Sequence, residues 1–217
     1  MTRPSTFALA GALVLVGLLT GCGGKKSTTS SAQTQNGCTV VDAPAAETRT
    51  EPKPKLPLAK TKVYDVTMVT NCGSFTFQLD QAQSPNAAAS VVSLVDKGFF
   101  DKTIFHRIVP GFVIQGGDPT GTGAGGPGYT TIDTPPPTAA YTHGVVAMAK
   151  TAAQPAGTAG SQFFIVTVRD AGLPPDYAIV GKVTKGLAVV DQIGTLGNAA
   201  QQPTQVVEIE QATVKVS

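Results

Sequence analysis

One arginine and one glutamine near the middle of the chain stand among apolar neighbours. Arg107 and Gln115 belong to the stretch FHRIVPGFVIQGGD, which runs from Phe105 to Asp118 and contains no carboxylate other than Asp118 at its end. A guanidinium without a partner is costly in a hydrophobic core, because a buried charge needs a counter-charge or hydrogen bonds. The two side chains therefore indicate a site that supplies positive charge and hydrogen bonds.

The chain shows no pattern typical of covalent or metal-dependent catalysis. It has no G-x-S-x-G motif, and Ser161 has no evident base. His106 and His143 lack the spacing of metal ligands, so each is interpreted as structural, and no metal or cofactor is expected. The glycine-rich GTGAGG at 121–126 has the spacing of a dinucleotide-binding loop, but Pro and Gly follow where a helix would be needed. An enzyme with this sequence must act through binding, shape and charge.

Rotation about the peptide bond before proline is a reaction of this kind. Amide resonance imposes a barrier of roughly 18–20 kcal/mol. A donor near the prolyl nitrogen weakens the resonance as the bond twists, while an apolar pocket holds the ring and an amide binds the neighbouring carbonyl. The stretch contains these groups: Arg107 as the donor, Phe112 and Val113 as a pocket wall, and Gln115 as the amide.

Three blocks of sequence resemble the cyclophilins, the peptidyl-prolyl isomerases that bind cyclosporin. The first is FHRIVPGFVIQGGD itself. The others are HGVVAMAKTAAQPAGTAGSQFFIVT, from His143 to Thr167, and YAIVGKVTKGLAVVDQI, from Tyr177 to Ile193, in the family's order and spacing. The resemblance extends over about residues 63–217, and the loop at 116–129 looks most like that of bacterial members.

The resemblance implies roles for individual residues. It makes Arg107 the catalytic guanidinium, Gln115 a carbonyl-binding amide and His106 a support beneath the site. The main chain of Ala149 and Lys150 is expected to pair with the substrate residue ahead of the proline. The side chains expected to line or border the proline pocket are Phe112, Val113, Gln162, Phe164, Leu173 and Tyr177.

Three of these positions differ from the best-known cyclophilins. Val113 stands where they carry methionine, which implies a shallower pocket wall. Lys150 replaces an asparagine, although the main-chain contact can survive, and Tyr177 replaces a histidine at the pocket rim. The differences bear on the affinity for cyclosporin more than on catalysis.

The elements that must position these residues are mostly short strands. Alternating residues at 63–68 and 75–79 around Asn-Cys-Gly predict a β-hairpin. Ser84-Pro85 predicts the start of a helix over 86–97, and a second helix fits 187–193. Further strands are predicted at 104–108, 113–116, 145–149, 163–166, 179–183 and 206–216. The pattern predicts a mainly β fold, a closed antiparallel barrel with helical lids; the resemblance implies eight strands and two capping α-helices.

The N-terminus predicts export and a lipid anchor. Arg3 precedes an apolar run at 7–19 that is short for a membrane span. The run ends in Leu-Thr-Gly-Cys, which resembles a bacterial lipobox, so residues 1–21 are expected to be a lipoprotein signal peptide and Cys22 the lipidated residue. The alternative is an ordinary signal peptide with an incidental cysteine. Acyl chains on Cys22 would hold the protein on the extracytoplasmic face of the cell membrane.

The mature chain is expected to have two parts. Residues 22–62 are predicted to be a disordered linker rich in Pro and Lys, and residues 63–217 the isomerase domain. The whole chain of 217 residues has a formal charge of +2, whereas residues 63–217 have eight basic and eleven acidic residues, a balance of −3. A mildly acidic domain argues against a nucleic-acid partner.

Two cysteines remain beyond the lipobox. Cys38 and Cys72 are expected to form a disulfide, since an exported chain reaches an oxidising compartment. Two unpaired thiols are the alternative. Zinc is disfavoured because two cysteines with no nearby histidine do not complete a tetrahedral site.

The expected protein is a lipid-anchored, monomeric prolyl isomerase that needs no cofactor. Its expected substrates are Pro-containing segments of exported proteins at the cell envelope. Two alternatives stay open: the groove could bind Pro-containing segments without turning them over, or the domain could act as an envelope scaffold.

Overall fold

The computed structural model describes residues 33–217, so the expected signal peptide and Cys22 lie outside the described residues. Within that range no helix has the length and apolar character needed to cross a membrane. The described strands are β1 Thr34–Gln35, β2 Cys38–Thr39, β3 Tyr64–Thr70, β4 Gly73–Leu79, β5 Thr103–Ile104, β6 Arg107–Val109, β7 Val113–Gly116, β8 Thr131–Ile132, β9 Val145–Met148, β10 Thr158–Ala159, β11 Phe163–Val166, β12 Ile179–Lys185 and β13 Glu208–Val216. The described helices are α1 Pro85–Asp96 and α2 Leu187–Gly194.

The predicted hairpin is confirmed. Strands β3 and β4 pair in antiparallel register on either side of Asn71 and Cys72, and residues of β3 are alternately buried and half-buried. Gly73 at the start of β4 has a φ of 114°, a conformation that suits glycine. The local pattern of apolar residues and turn residues was therefore sufficient to place this element.

The main sheet has nine strands, in the order β5-β13-β3-β4-β12-β9-β11-β7-β6, and curls into a half-barrel. The predicted single strand over 104–108 is divided, because Thr103–Ile104 pair with β13 whereas Arg107–Val109 pair with β7. Between the two parts the Phe105 side chain is fully buried, and its N–H donates to the Val207 carbonyl at 2.9 Å. The resulting strands β5 and β6 are the two edges of the sheet and do not pair with each other. A mainly β fold with two helices is confirmed, whereas the expected closure of eight strands into a barrel is not.

Both predicted helices are present, but α1 is capped differently from the prediction. The Ser84 side chain makes no capping hydrogen bond. The carboxylate of Asp133, from the loop after β8, instead accepts hydrogen bonds from the N–H groups of Asn86 at 3.3 Å and Ala87 at 2.6 Å. A carboxylate at this position satisfies free N–H groups and interacts favourably with the helix dipole.

Two apolar clusters lie on the sheet. The larger one contains the helix α1 residues Val91 and Leu94 and a set of phenylalanine rings in tilted or edge-to-face contact. These rings belong to Phe75, Phe77, Phe99, Phe100, Phe105 and Phe163. The smaller cluster lies under β7, β9 and β11 and forms part of the candidate site.

Residues 33–62, which we call the N-terminal strap, pack against the rest of the chain. The Arg49 guanidinium donates to the carbonyls of Phe99 at 2.6 Å and Asp101 at 2.8 Å. Farther along, Glu51 pairs with Lys97 at 2.8 Å. The prediction of a disordered linker is therefore wrong for this part of it. Its composition, rich in Pro and Lys, predicted disorder, but Arg49 binds main-chain carbonyls and Glu51 binds an opposite charge.

A disulfide joins the strap to the hairpin turn. The sulfur atoms of Cys38 and Cys72 are 2.07 Å apart, and Cys38 is fully buried. Beside them the Thr39 N–H donates to the Asn71 carbonyl at 2.7 Å, and Asn71 Nδ2 donates to the Thr39 carbonyl at 2.8 Å. The structure thus contains the bridge expected from the two remaining cysteines.

Candidate active site

Arg107 and Gln115 face each other across neighbouring strands. The register of β6 and β7 pairs them directly, and Arg107 Nη1 donates to Gln115 Oε1 at 3.3 Å. Arg107 Nε donates to Gln201 Oε1 at 2.9 Å. None of the ion pairs formed among the described residues includes Arg107. The guanidinium is therefore oriented by uncharged amide oxygens and keeps N–H groups for a bound molecule.

The amide of Gln115 continues this network to the glycine-rich loop. Gln115 Nε2 donates to Gln162 Oε1 at 3.1 Å, and Gln162 Nε2 donates to the carbonyls of Gly123 and Gly125, both at 2.9 Å. Each amide oxygen faces a donor and each amide nitrogen faces an acceptor. The network therefore fixes the orientation of both glutamines and connects the arginine to the loop.

Asp118 holds the glycine-rich loop in shape. Its fully buried carboxylate accepts hydrogen bonds from Thr120 N and Oγ1, both at 2.8 Å, from Gly123 N at 2.6 Å and from Gly125 N at 3.1 Å. Burial alone would raise the pKa of Asp118, but the hydrogen bonds outweigh it and leave the pKa below its ordinary value. No helix follows in residues 121–130, which agrees with the prediction of a loop.

The expected pocket residues form one apolar cluster beside Arg107 and Gln115. Val113 and Phe164 are buried in it together with Tyr141, and Phe112, Leu173 and Tyr177 pack against them half-buried. The rings of Phe164 and Tyr177 meet edge to face with centroids 5.4 Å apart. The structure therefore brings five of the six predicted pocket side chains together next to the guanidinium network, and the sixth, Gln162, belongs to the amide network itself.

Lys150 uses its side chain inside the protein. Only 3% of that side chain is exposed, and its ammonium pairs with Asp176 and lies 5.5 Å from the centre of the Tyr177 ring. The neighbouring Ala149 N–H donates to the Gln162 carbonyl at 2.8 Å. Within the part of the chain that the structure describes, the Ala149 carbonyl and the Lys150 N–H have no hydrogen-bond partner. They are the main-chain groups that remain for a substrate.

His106 lies half-buried beside the arginine. Neither ring nitrogen has a hydrogen-bond partner among residues 33–217. Burial lowers the pKa of His106, and the positive charge of Arg107 lowers it further, while Asp118 opposes them. The imidazole is therefore favoured in its neutral form, which suits the expected supporting position.

Two residues of the site were missed in the sequence. Gln201 orients the arginine from a loop 94 positions away, and its sequence surroundings carry no signal of that contact. Tyr141 donates to the Tyr177 carbonyl at 2.7 Å and accepts from the Tyr177 N–H at 2.9 Å, which braces the pocket rim. An isolated aromatic residue in a stretch rich in Pro and Ala was the only available indication of Tyr141.

Comparison with known proteins gives a consistent result. Residues 65–214 match the family described as cyclophilin type peptidyl-prolyl cis-trans isomerase/CLD. The peptidyl-prolyl cis-trans isomerase-like 1 protein of Neurospora crassa is 37% identical over 155 residues, which cover 69% of this chain and 93% of that protein. Peptidyl-prolyl cis-trans isomerase B of Bacillus subtilis is 43% identical over 113 residues, covering 51% of this chain and 76% of that protein.

Solved structures show the same fold. A cyclophilin type peptidyl-prolyl cis-trans isomerase of Cryptosporidium parvum is similar with a TM-score of 0.65 and 32% identity, over 70% of this chain and 98% of that one. A second structure of that protein, obtained in the presence of the dipeptide Ala-Pro, gives a TM-score of 0.64 and 33% identity.

Fold, site and relatives together define the class of protein as a peptidyl-prolyl cis-trans isomerase. Within that class, the chain belongs to the cyclophilin-type family. The relatives include fungal and bacterial proteins, and the lipoprotein form expected from residues 1–22 stays a prediction.

Proposed function

We propose that this cyclophilin-type isomerase uses Arg107 as its catalytic donor and acts on proline-containing segments of exported proteins at the cell envelope. The observation that carries the catalytic assignment is the environment of the guanidinium. Arg107 is held by the amide oxygens of Gln115 and Gln201, has no carboxylate partner among the described residues, and adjoins an apolar pocket.

The arrangement accounts for catalysis without a nucleophile. The proline ring enters the pocket of Phe112, Val113, Phe164 and Leu173, and the main chain at 149–150 binds the residue ahead of it. Arg107 then donates to the prolyl nitrogen, whose lone pair becomes available only as the amide twists. This interaction is stronger in the transition state than in the planar ground state, so it lowers the barrier. A reduction of about 7 kcal/mol would accelerate the rotation roughly 10⁵-fold.

The family comparison supports the choice of substrate. The Cryptosporidium parvum relative was studied with the dipeptide Ala-Pro, which matches a pocket that takes a proline ring and a main-chain site for the residue before it. The envelope location is supported by the lipobox at 19–22 and by the Cys38–Cys72 bridge, since disulfides persist in oxidising compartments.

The catalytic assignment is tested by exchange NMR of an Ala-Pro peptide with the parent protein and Arg107→Ala. We expect kcat/KM to fall by about tenfold or more, as for loss of a donor that acts in the transition state. Arg169→Ala is the matched control, because it removes the same charge from an exposed position. A folded Arg107→Ala protein with the activity of the parent would show that another group acts as the donor.

A further inference from the structure

A groove of about 1160 Å³ adjoins the amide network on the side away from Arg107. Gln115 and Gln162 form its boundary with the candidate site, and the glycine-rich loop forms its floor. Residues 48–50 of the N-terminal strap are the far wall. This volume slightly exceeds the range of about 300–1,000 Å³ usual for ligand pockets, which leaves room for more than one side chain.

The strap wall is fixed on both sides of residues 48–50. The Glu47 N–H donates to the Pro119 carbonyl and the Glu51 N–H donates to the Pro127 carbonyl, both at 3.0 Å. Between them the Arg49 guanidinium is bound to two carbonyls of the domain. Thr50 packs so closely on Gly128 that a Cβ at Gly128 would lie 2.8 Å from its methyl carbon. The wall is therefore a defined part of the groove.

The groove lies beside the main-chain groups proposed to bind the part of a substrate that precedes the proline. Ala149 and Lys150, whose main chain is proposed to bind the residue ahead of the proline, also line the groove. The five apolar side chains of the proline pocket do not line it. Residues two and three positions ahead of the proline would therefore enter the groove and reach the strap. This step rests on the proposed function.

The lining favours uncharged polar side chains. It contains no carboxylate, and its two cations are already paired, Arg49 with Glu47 and Lys150 with Asp176. Eight of the lining residues carry a hydroxyl group: Thr48, Thr50, Thr120, Thr122, Tyr129, Thr130, Thr151 and Ser161. We propose that Thr48 and Thr50 of the strap select substrates with Ser, Thr, Asn or Gln two and three residues ahead of the proline.

The test compares three capped peptides with the full-length chain: Gln-Ser-Ala-Pro-Phe, Leu-Leu-Ala-Pro-Phe and the minimal Ala-Pro-Phe. Exchange NMR gives kcat/KM for each. For the parent we expect a preference for Gln-Ser over Leu-Leu of about three- to tenfold, the effect of one net hydrogen bond. In T48V/T50V the ratio should approach one, while turnover of the minimal peptide is unchanged. Thr61→Val is the matched control, because this exposed strap threonine does not line the groove.

Binding gives a second readout that does not need turnover. Gln-Ser-Ala-Pro-Phe should shift the amide resonances of Thr48 and Thr50, whereas Ala-Pro-Phe should not. If no peptide is turned over but these shifts and the preference in binding occur, the proposed function fails and the strap proposal stands. A parent that turns over both long peptides equally, or a T48V/T50V protein with the preference of the parent, would overturn the strap proposal alone.

Discussion

The partners of Arg107 explain why the residue remains available for a substrate. Two amide oxygens hold the guanidinium at 2.9 and 3.3 Å without neutralising it. A carboxylate at the same place would have formed an ion pair with the guanidinium and neutralised its charge. The side chain is therefore held in place while its positive charge stays available for its proposed role as the donor to the prolyl nitrogen.

For individual residues, the sequence predicted contacts within one short stretch and missed contacts between distant parts of the chain. Arg107 and Gln115 lie in one stretch, and a single turn between β6 and β7 brings them face to face. Gln201 and the Lys150–Asp176 pair depend on how remote loops meet. The amino-acid sequence around these residues does not indicate such contacts.

His106 should make stability depend on pH. Burial lowers its pKa below the unfolded value of 6.5, so the unfolded state binds more protons just below that pH. The stabilisation is complete above pH 6.5 and is lost as the pH falls toward the folded pKa. Urea unfolding between about pH 7.5 and 5.5 should show a falling free energy of unfolding, with a shallower slope in His106→Asn. An unchanged slope in the variant would assign the effect to another group.

At the scale of elements, patterns placed the hairpin and both helices but not the strap. The helix α1 boundary was found from Ser84-Pro85, although its cap comes from Asp133, 46 positions beyond Ala87. The strap was misread because Pro, Lys and Glu have the same composition whether they are solvated or docked. Arg49 and Glu51 find their partners only in the folded domain.

Removing the disulfide should loosen the strap more than the sheet. In the double variant C38A/C72A we expect the free energy of unfolding to fall by about 3–4 kcal/mol, from the chain entropy of the closed loop. Arg49 still anchors the middle of the strap. Hydrogen exchange should therefore increase most at 33–45 and least in β3. Equal acceleration in the strap and in β3 would mean that the bridge stabilises only the domain as a whole.

For the whole molecule, the sequence predicted the family fold, but it did not predict that the sheet stays a half-barrel instead of closing. The order and spacing of three blocks indicated the cyclophilin fold, and the family match over 65–214 agrees. The division of one expected strand at Phe105 produced two sheet edges instead of one continuous ladder. That division follows from a change of pairing partner, from β13 before Phe105 to β7 after it, which no periodicity reveals.

The lipid anchor is the prediction at this scale. In a bacterial host that processes lipoproteins, the parent should fractionate with membranes and Cys22→Ser should be released, because acyl chains on Cys22 are the expected attachment. Mass spectrometry of the membrane fraction should find a lipidated N-terminal cysteine. An unmodified N-terminus on the parent would contradict the anchor and leave the domain's catalytic assignment untouched.

The Cys38–Cys72 bridge also determines how the molecule would respond to mechanical force. A chain held upstream of Cys38 and pulled from its C-terminus carries the tension through the sulfur–sulfur bond. The segment between the two cysteines, which are 34 positions apart, then bears no tension. At full extension the oxidised molecule is therefore roughly 110–120 Å shorter than the reduced one. Under oxidising conditions the strap wall of the groove is thus shielded from tension.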